Sequence, residues 1–272
     1  MGVDAVFAGG IPQVYDTFMV PLFFEPYAID LARRVAALAP SRVLETAAGT
    51  GAVTRALART LPPEVDLVAT DLNPPMLERA KAMGTARGVQ WREADAMHLP
   101  FDDACFDVVA CQFGAMFFPD KVRAFGEARR VLRPGGAWVF NTWGPIEDNE
   151  FARAVTDALA ALYPDDPPVF MARTPHGYFD RATITAQLAQ AGFEAPVEWE
   201  TVATRSTADS AEAPAIALCQ GTPMRMEIEQ RAARGGASLA EATQASAAMI
   251  RARFGEGRVD GKIQAHVVIA RK

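Results

Sequence analysis

The residues best suited to chemistry lie in a short glycine-rich segment, residues 45–51, which reads ETAAGTG. Gly49 and Gly51 would let the backbone approach a bound ligand closely, and a helix beginning after them would present free N–H groups. Asp71 follows about 20 residues later, where dinucleotide-binding sites place the acid that binds a ribose. These residues predict a ligand-binding loop at the end of a strand.

The type of ligand depends on what this loop lacks. A dinucleotide fingerprint would have a third glycine where Thr54 stands, and no Gly-Lys-Ser/Thr follows to make a phosphate-binding P-loop. No Lys or Arg, the side chains that favour phosphate, lies between Glu45 and Val53. The loop therefore favours a ligand without phosphate, while a nicotinamide-dependent oxidoreductase stays open as an alternative.

The elements around the loop alternate between apolar strands and helical segments. Strands are predicted at residues 42–45, 65–70, 89–93, 106–111 and 137–141, and helices at 53–60, 74–83 and 121–132. Arg133-Pro134-Gly135-Gly136 predicts a turn before the fifth strand. Strands joined by helical crossovers indicate an α/β fold, a doubly wound parallel sheet with helices on both faces.

The remaining chain is less regular. Helices are predicted at residues 150–162 and 181–191, with two or three more between 211 and 253, and strands at 197–202 and 263–270. The helical block between the last two strands suggests a cap over one domain. We expect a core of about residues 28–144, 179–204 and 258–272, and a cap of residues 1–27, 145–178 and 205–257.

Composition restricts the possible partners. The formal charge of −6 disfavours a nucleic-acid partner, and 50% hydrophobic residues exclude a disordered class. The three cysteines show no CxxC pairing, so neither a disulfide framework nor a metal site is expected. The negative charge favours a small molecule as the partner. The segment 18–24 is short and contains Pro21, so a cytoplasmic protein without membrane insertion is expected.

Five motifs in order add a family resemblance. They are ETAAGTG (45–51), ATDLNPPML (69–77), EADAMHLPF (93–101), FDVVACQFGAMFFPD (106–120) and RRVLRPGGAWVF (129–140). Together they resemble the class I S-adenosylmethionine-dependent methyltransferases, most of all the methyltransferase type 11 branch related to quinone biosynthesis. The resemblance implies a Rossmann-like, seven-stranded, mostly parallel sheet of order 3-2-1-4-5-7-6, with S-adenosyl-L-methionine as cofactor.

The resemblance also implies roles for individual residues. The methionine part of the cofactor would contact Glu45, Ala47, Gly49, Thr50, Gly51 and Gln112. The nucleoside part would contact Asp71 through its ribose hydroxyls, and Leu72, Met76, Asp95 and the Ala96 backbone through its adenine. Ala47 replaces the usual first glycine and Glu45 the usual aspartate, so we expect tuned rather than abolished binding.

No residue is identified as a general base. Gln112, His176 and Tyr15 are the candidates for a catalytic role, and Tyr15 could equally close over the cofactor or pack in the core. The aromatic N-terminal segment and the Met-rich residues 224–226 suggest a small apolar or aromatic methyl acceptor. A cofactor-binding regulator without catalysis stays open, and the sequence does not specify the methylated atom.

Overall fold

The computed structural model describes residues 9–272, and in it the chain divides into two compact units. The sheet unit consists of Glu25–Trp143, Phe179–Val202 and Ala265–Lys272. The helical unit consists of Gly144–Tyr178, Ala203–Gln264 and the described residues up to Phe24. The assignment of the whole chain to one domain with a cap stays a prediction.

A single sheet contains the seven strands found in the described residues. They are β1 Arg42–Glu45, β2 Asp66–Asp71, β3 Gln90–Glu93, β4 Phe106–Gln112, β5 Leu132–Trp143, β6 Glu198–Ala208 and β7 Val259–Arg271. Their order is β3-β2-β1-β4-β5-β7-β6. The first five strands pair in parallel, and β7 runs antiparallel to β5. The fold class and strand order implied by the resemblance are confirmed.

Helices connect these strands and make up most of the helical unit. They are α1 Ile11–Val14, α2 Glu25–Ala37, α3 Ala52–Thr60, α4 Pro74–Met83, α5 Lys121–Val131, α6 Glu150–Leu162, α7 Phe170–Arg173, α8 Arg181–Gln190, α9 Glu212–Gln220, α10 Met224–Ala232 and α11 Leu239–Phe254. Residues Tyr15–Phe24 are π-helical. Among residues 9–272, no helix combines the length and apolar character that a bilayer crossing requires.

The two faces of the sheet unit are packed differently. On one face, alternate residues of β4 and β5 such as Val108 and Val139 join a core cluster with Leu31 of α2 and Leu57 of α3. On the other face, Trp138 lies 4.6 Å, between ring centroids, from Phe125 of α5. Side chains therefore alternate between an aliphatic face and an aromatic face along β5.

The predicted turn at residues 133–136 is wrong, because β5 begins earlier, at Leu132. The N–H of Gly135 donates to the carbonyl of Lys272, and the N–H of Lys272 donates to the carbonyl of Gly136, so the end of the chain pairs with this segment. The register between β4 and β5 shifts after Phe106, and this irregularity accommodates the additional residues at the start of β5. Sequence alone could not show this, since the pairing partner lies more than 130 residues away.

Aromatic packing and helix caps organise the helical unit. The Phe151 ring of α6 lies edge-on to Phe254 of α11, with ring centroids 5.1 Å apart, and 6.5 Å from Phe23. Ser238 and Glu241 form a capping box that begins α11. The helix predicted at residues 150–162 is confirmed as α6.

Candidate functional site

The glycine loop lies at the carboxyl end of β1, where parallel α/β sheets bind ligands. Ala47, Gly49 and Gly51 all have positive φ, of 53°, 58° and 83°. A Cβ on Gly51 would lie 3.1 Å from Cη2 of Trp91 and 3.2 Å from Cβ of Ala80, so only glycine fits without displacement. The loop is thus a tight backbone turn followed directly by α3.

Backbone hydrogen bonds attach this loop to the neighbouring strands. The N–H of Thr46 donates to the carbonyl of Ala110 on β4, and the N–H of Ala48 donates to the carbonyl of Thr70 on β2, each at 2.9 Å. The guanidinium of Arg55 donates to the carbonyl of Thr50 at 2.6 Å. The sequence did not indicate this role of Arg55, because Arg55 follows residues 45–53, the segment in which the lack of Lys and Arg was noted.

Glu45 is the last residue of β1 and is 1% exposed. Its Oε2 accepts a hydrogen bond from the Thr54 hydroxyl at 2.6 Å, and its backbone carbonyl accepts one from the Thr70 hydroxyl. Burial, with the negative charge of Asp71 adding to it, raises the pKa of Glu45 to about 8. A nearby cation would favour the ionised form of this carboxyl group.

Asp71 is the last residue of β2 and connects that strand to the loop. Its Oδ2 accepts from the N–H of Gly49 at 2.8 Å, and its Oδ1 accepts from the N–H of Asn73 at 2.8 Å. Burial raises the pKa of Asp71 in spite of these bonds. Asn73 is the residue before α4, and its side chain donates to Oδ1 of Asp71 instead of capping the helix.

The residues predicted to surround an adenine follow β2 and β3. Met76 of α4 is buried, with its Cε 3.6 Å from where a Cβ on Gly49 would lie, and Leu72 is half-buried. Asp95 and Ala96 lie in a half-buried turn in which Oδ1 of Asp95 accepts from the N–H of Met97 at 2.8 Å. This segment is attached to Asp71, whose carbonyl accepts from the N–H of Ala94.

Gln112 is the last residue of β4 and is paired in register with Asn141 of β5. Asn141 is fully buried, and within residues 9–272 neither its side-chain oxygen nor its nitrogen has a hydrogen-bond partner. Phe113, with a φ of +51°, donates its N–H to the carbonyl of Asn141 at 3.1 Å and stacks on Trp143, with ring centroids 3.9 Å apart. Sequence reasoning missed Asn141, although an amide inside the apolar run AWVFNTW was a visible signal.

Tyr15 and His176, the other predicted candidates, belong to the helical unit. The Tyr15 ring stacks on Phe24 with centroids 5.0 Å apart. His176 is buried, and its Nδ1 donates to the carbonyl of Gly144 at 2.9 Å. Burial lowers the pKa of His176 to about 4, so the imidazole is neutral at physiological pH. Catalytic roles for both stay predictions.

The electrostatics of the loop indicate what kind of group it could bind. Two buried carboxyl groups, those of Glu45 and Asp71, end adjacent strands beside a turn of close-approaching backbone. Such a pair suits a ligand that combines a positive charge with hydroxyl donors. S-adenosylmethionine has an ammonium group, a sulfonium and a ribose, and these residues fit it.

Comparisons with known proteins agree with this geometry. The family model Methyltransf_11, described as a methyltransferase domain, matches residues 44–140. The chain is 40% identical over 137 residues to demethylmenaquinone methyltransferase of Thermus thermophilus, a match that covers 50% of this chain and 60% of that protein. The chain therefore spans about three fifths of the length of that relative.

A longer match is found with the ubiquinone/menaquinone biosynthesis C-methyltransferase UbiE of Ralstonia pickettii. It is 33% identical over 203 residues and covers 71% of this chain and 78% of that protein. Among solved structures, the YcgJ protein of Bacillus subtilis superimposes with a TM-score of 0.56 at 20% identity, over 91% of this chain and 98% of that one. At this identity the likeness concerns the fold alone.

Proposed function

Because the chain belongs to the class I S-adenosylmethionine-dependent methyltransferases, in the branch of the quinone-biosynthesis enzymes, we propose that it methylates a small hydroxylated aromatic compound. The observation that carries the proposal is the pair of buried carboxyl groups, Glu45 and Asp71, beside the positive-φ loop of residues 47–51. The two relatives, a demethylmenaquinone methyltransferase and a ubiquinone/menaquinone biosynthesis C-methyltransferase, support an aromatic acceptor of the quinone type.

The loop and Glu45 would bind the methionine part of the cofactor. The ammonium group would lie at Glu45, whose carboxylate the positive charge would stabilise against the cost of burial. Ala47, Gly49, Thr50 and Gly51 would contact the same part through close backbone approach. No phosphate is present in this ligand, which agrees with the lack of Lys or Arg in residues 45–53.

Asp71 would bind the ribose hydroxyls. Its Oδ2 accepts the N–H of Gly49, and its Oδ1 accepts both the N–H and the side-chain amide of Asn73, which fixes the carboxylate. A ribose hydroxyl would donate to the further lone pair of Oδ2 or take the place of the Asn73 side chain at Oδ1. Leu72 and Met76 would flank the adenine, Asp95 would accept from its amine, and the Ala96 backbone would contact a ring nitrogen. The hydrogen bond from the N–H of Ala94 to the carbonyl of Asp71 would fix the residues that bind the adenine relative to those that bind the ribose.

Bound S-adenosylmethionine supplies a methyl group that is already activated by its sulfonium. The chain's own contribution would be to align the acceptor atom behind that methyl group and to exclude water. Gln112, at the end of the central strand β4, would contact both the methionine part and the acceptor. Loss of an acceptor hydroxyl proton would make a ring carbon more nucleophilic, so binding that hydroxyl is part of the proposed task.

A nicotinamide-dependent oxidoreductase is not favoured. The third glycine of a dinucleotide loop is replaced by Thr54, which is fully buried and donates its hydroxyl to Glu45. This carboxyl group would lie close to where a pyrophosphate approaches, which is unfavourable for an anion. A regulator that binds the cofactor without catalysis is the second alternative, and turnover separates it from an enzyme.

The test is a methylation assay over matched acceptors. The purified protein is incubated with S-adenosylmethionine and, separately, phenols, 1,4-dihydroxynaphthalene, amines and carboxylic acids, and products are detected by mass. We expect methylated hydroxyarenes and S-adenosylhomocysteine in equal amounts. Turnover of amines or acids alone would refute the acceptor class, and binding of NAD without binding of S-adenosylmethionine would refute the methyltransferase.

A further inference from the structure

Asn141 is a polar side chain in an unusual environment. Its exposed fraction is 0%, and both its amide oxygen and its amide nitrogen lack a hydrogen-bond partner within the described residues. A buried amide without partners is costly, and most buried polar groups in proteins are paired. An apolar residue at this position of β5 would avoid that cost, so the amide calls for a role beyond packing.

The strand pairing places Asn141 on the same face as the residues of the proposed site. Asn141 is in register with Gln112 of β4 and with Val267 of β7, and residues so paired point to the same side of the sheet. Two positions earlier, Val139 pairs with Ala110, which in turn pairs with Glu45. Glu45, Gln112 and Asn141 therefore share one face at the carboxyl edge of three adjacent strands.

The position along the sheet separates Asn141 from the cofactor residues. Glu45 and Asp71 end β1 and β2, whereas Asn141 lies on β5, beyond β4 and away from β2. A ligand group that reaches Asn141 would extend from Gln112 in the direction opposite to Asp71. This is the side on which a methyl acceptor, rather than the nucleoside, would lie.

The chemistry of the amide selects the group that it would bind. An asparagine offers one acceptor oxygen and two N–H donors and carries no charge. It suits a neutral group that both donates and accepts, as an aromatic hydroxyl does. The buried rings of Phe113 and Trp143, which stack on each other, make the same part of the sheet unit apolar and aromatic.

We infer that Asn141 binds a ring hydroxyl of the methyl acceptor and so determines which hydroxyarenes are methylated. The inference rests on the proposed function and makes it more specific. Oδ1 of Asn141 would accept a hydrogen bond from the hydroxyl, or Nδ2 would donate one to the hydroxyl oxygen. This bond would fix the orientation of the ring relative to the transferred methyl group. This hydrogen bond would give the buried amide a partner that residues 9–272 do not supply.

Thr142 offers a matched control on the same strand. It is also fully buried, and its hydroxyl also lacks a partner in the part of the chain that the structure describes, but it lies on the opposite face, with Trp138 and Phe140. Thr142→Val and Asn141→Leu each remove an unpaired polar group in favour of an apolar one. We expect both variants to have a Tm equal to or above that of the native protein.

The test compares 1,4-dihydroxynaphthalene with 4-methoxy-1-naphthol, in which one hydroxyl can no longer donate. For Asn141→Leu we expect KM for the dihydroxy compound to rise by about tenfold, the factor of one good hydrogen bond, with an unchanged Kd for S-adenosylmethionine. The native preference for the dihydroxy compound over the methoxy compound should disappear in this variant and persist in Thr142→Val.

The outcomes separate the inference from the function on which it rests. If the native protein methylates the dihydroxy compound and Asn141→Leu leaves KM and preference unchanged, the inference is wrong and the function stands. If the native protein binds S-adenosylmethionine but methylates no hydroxyarene, the acceptor class is wrong, and the inference with it. Asn141→Ala, read by the same two assays, replaces the leucine variant if the latter does not fold.

Discussion

The backbone of Ala47, in the proposed cofactor loop, has a strained conformation. Its φ of +53° is a conformation that costs an L residue such as alanine about 1–2 kcal/mol. Glycine adopts this φ freely, but it lowers the free energy of unfolding by about 0.5–1 kcal/mol because the unfolded chain is more flexible at a glycine. The difference between the midpoints of these ranges predicts that Ala47→Gly raises the free energy of unfolding by about 0.75 kcal/mol, and by no more than about 1.5 kcal/mol.

The Ala47 methyl group also explains why residue 114 is glycine. A Cβ on Gly114 would lie 2.5 Å from Cβ of Ala47 and 2.8 Å from Sγ of Cys111. Gly114→Ala should therefore lower the free energy of unfolding by about 1–3 kcal/mol, the usual cost of overpacking. In the Ala47→Gly background one of the two clashes is removed, so the loss should shrink by at least about 0.5 kcal/mol.

Urea denaturation of the native protein, both single variants and the double variant measures these values. Ala48→Gly is the matched control, because Ala48 is in the same loop and buried, but its φ is not positive. This control should lose stability, where Ala47→Gly gains it. The reasoning is refuted if Ala47→Gly is as destabilising as the control, or if the effects at positions 47 and 114 are simply additive.

The consequence for the cofactor is also measurable. Because the Ala47 methyl is directed at Gly114, we expect its removal to change the Kd for S-adenosylmethionine by less than about threefold. A larger change in calorimetric titration would mean that the methyl group contacts the cofactor directly.

Two further predictions concern the same loop. Gly51→Ala should lower Tm more than Gly49→Ala does. Both glycines have positive φ, but only a Cβ on Gly51 would lie within 3.2 Å of neighbouring atoms. Equal losses of Tm would contradict this contact argument. In the ligand-free protein, Tm should fall as pH rises from 4.5 to about 8. The pKa of Glu45 is higher in the folded protein than in the unfolded chain, so the folded state loses stability as the pH rises through this range and the buried carboxyl group must ionise. Glu45→Gln should reduce this slope, and an unchanged slope would place the titration elsewhere.

The fold was predictable because it depends on local patterns and on motifs in a fixed order. Apolar segments separated by helical ones gave the first strands within a residue or two, and the resemblance supplied the strand order. The start of β5 was not predictable, since residues 133–136 pair with Lys272 at the other end of the chain. Long-range pairing of this kind leaves no local signal.

The site was predictable to the extent that its residues end strands. Glu45, Asp71 and Gln112 each end a strand, as their position after an apolar run indicates. The side-chain partners were not predictable. The bond from Thr54 of α3 to Glu45 and that from Asn73 to Asp71 depend on how the segments after β1 and β2 fold back on these strands. Asn141 shows the remaining limit, since the lack of a partner for its amide among the described residues is a property of the packed sheet.

Calorimetric titration of S-adenosylmethionine into the native protein and the Asp71→Asn variant tests the central claim most directly. Asp66→Asn, at the opposite end of the same strand β2, is the control. We predict one binding site per chain in the native protein and in Asp66→Asn, and an affinity at least about tenfold weaker in Asp71→Asn. Equal affinities in all three proteins, or no binding to the native protein, would contradict the account.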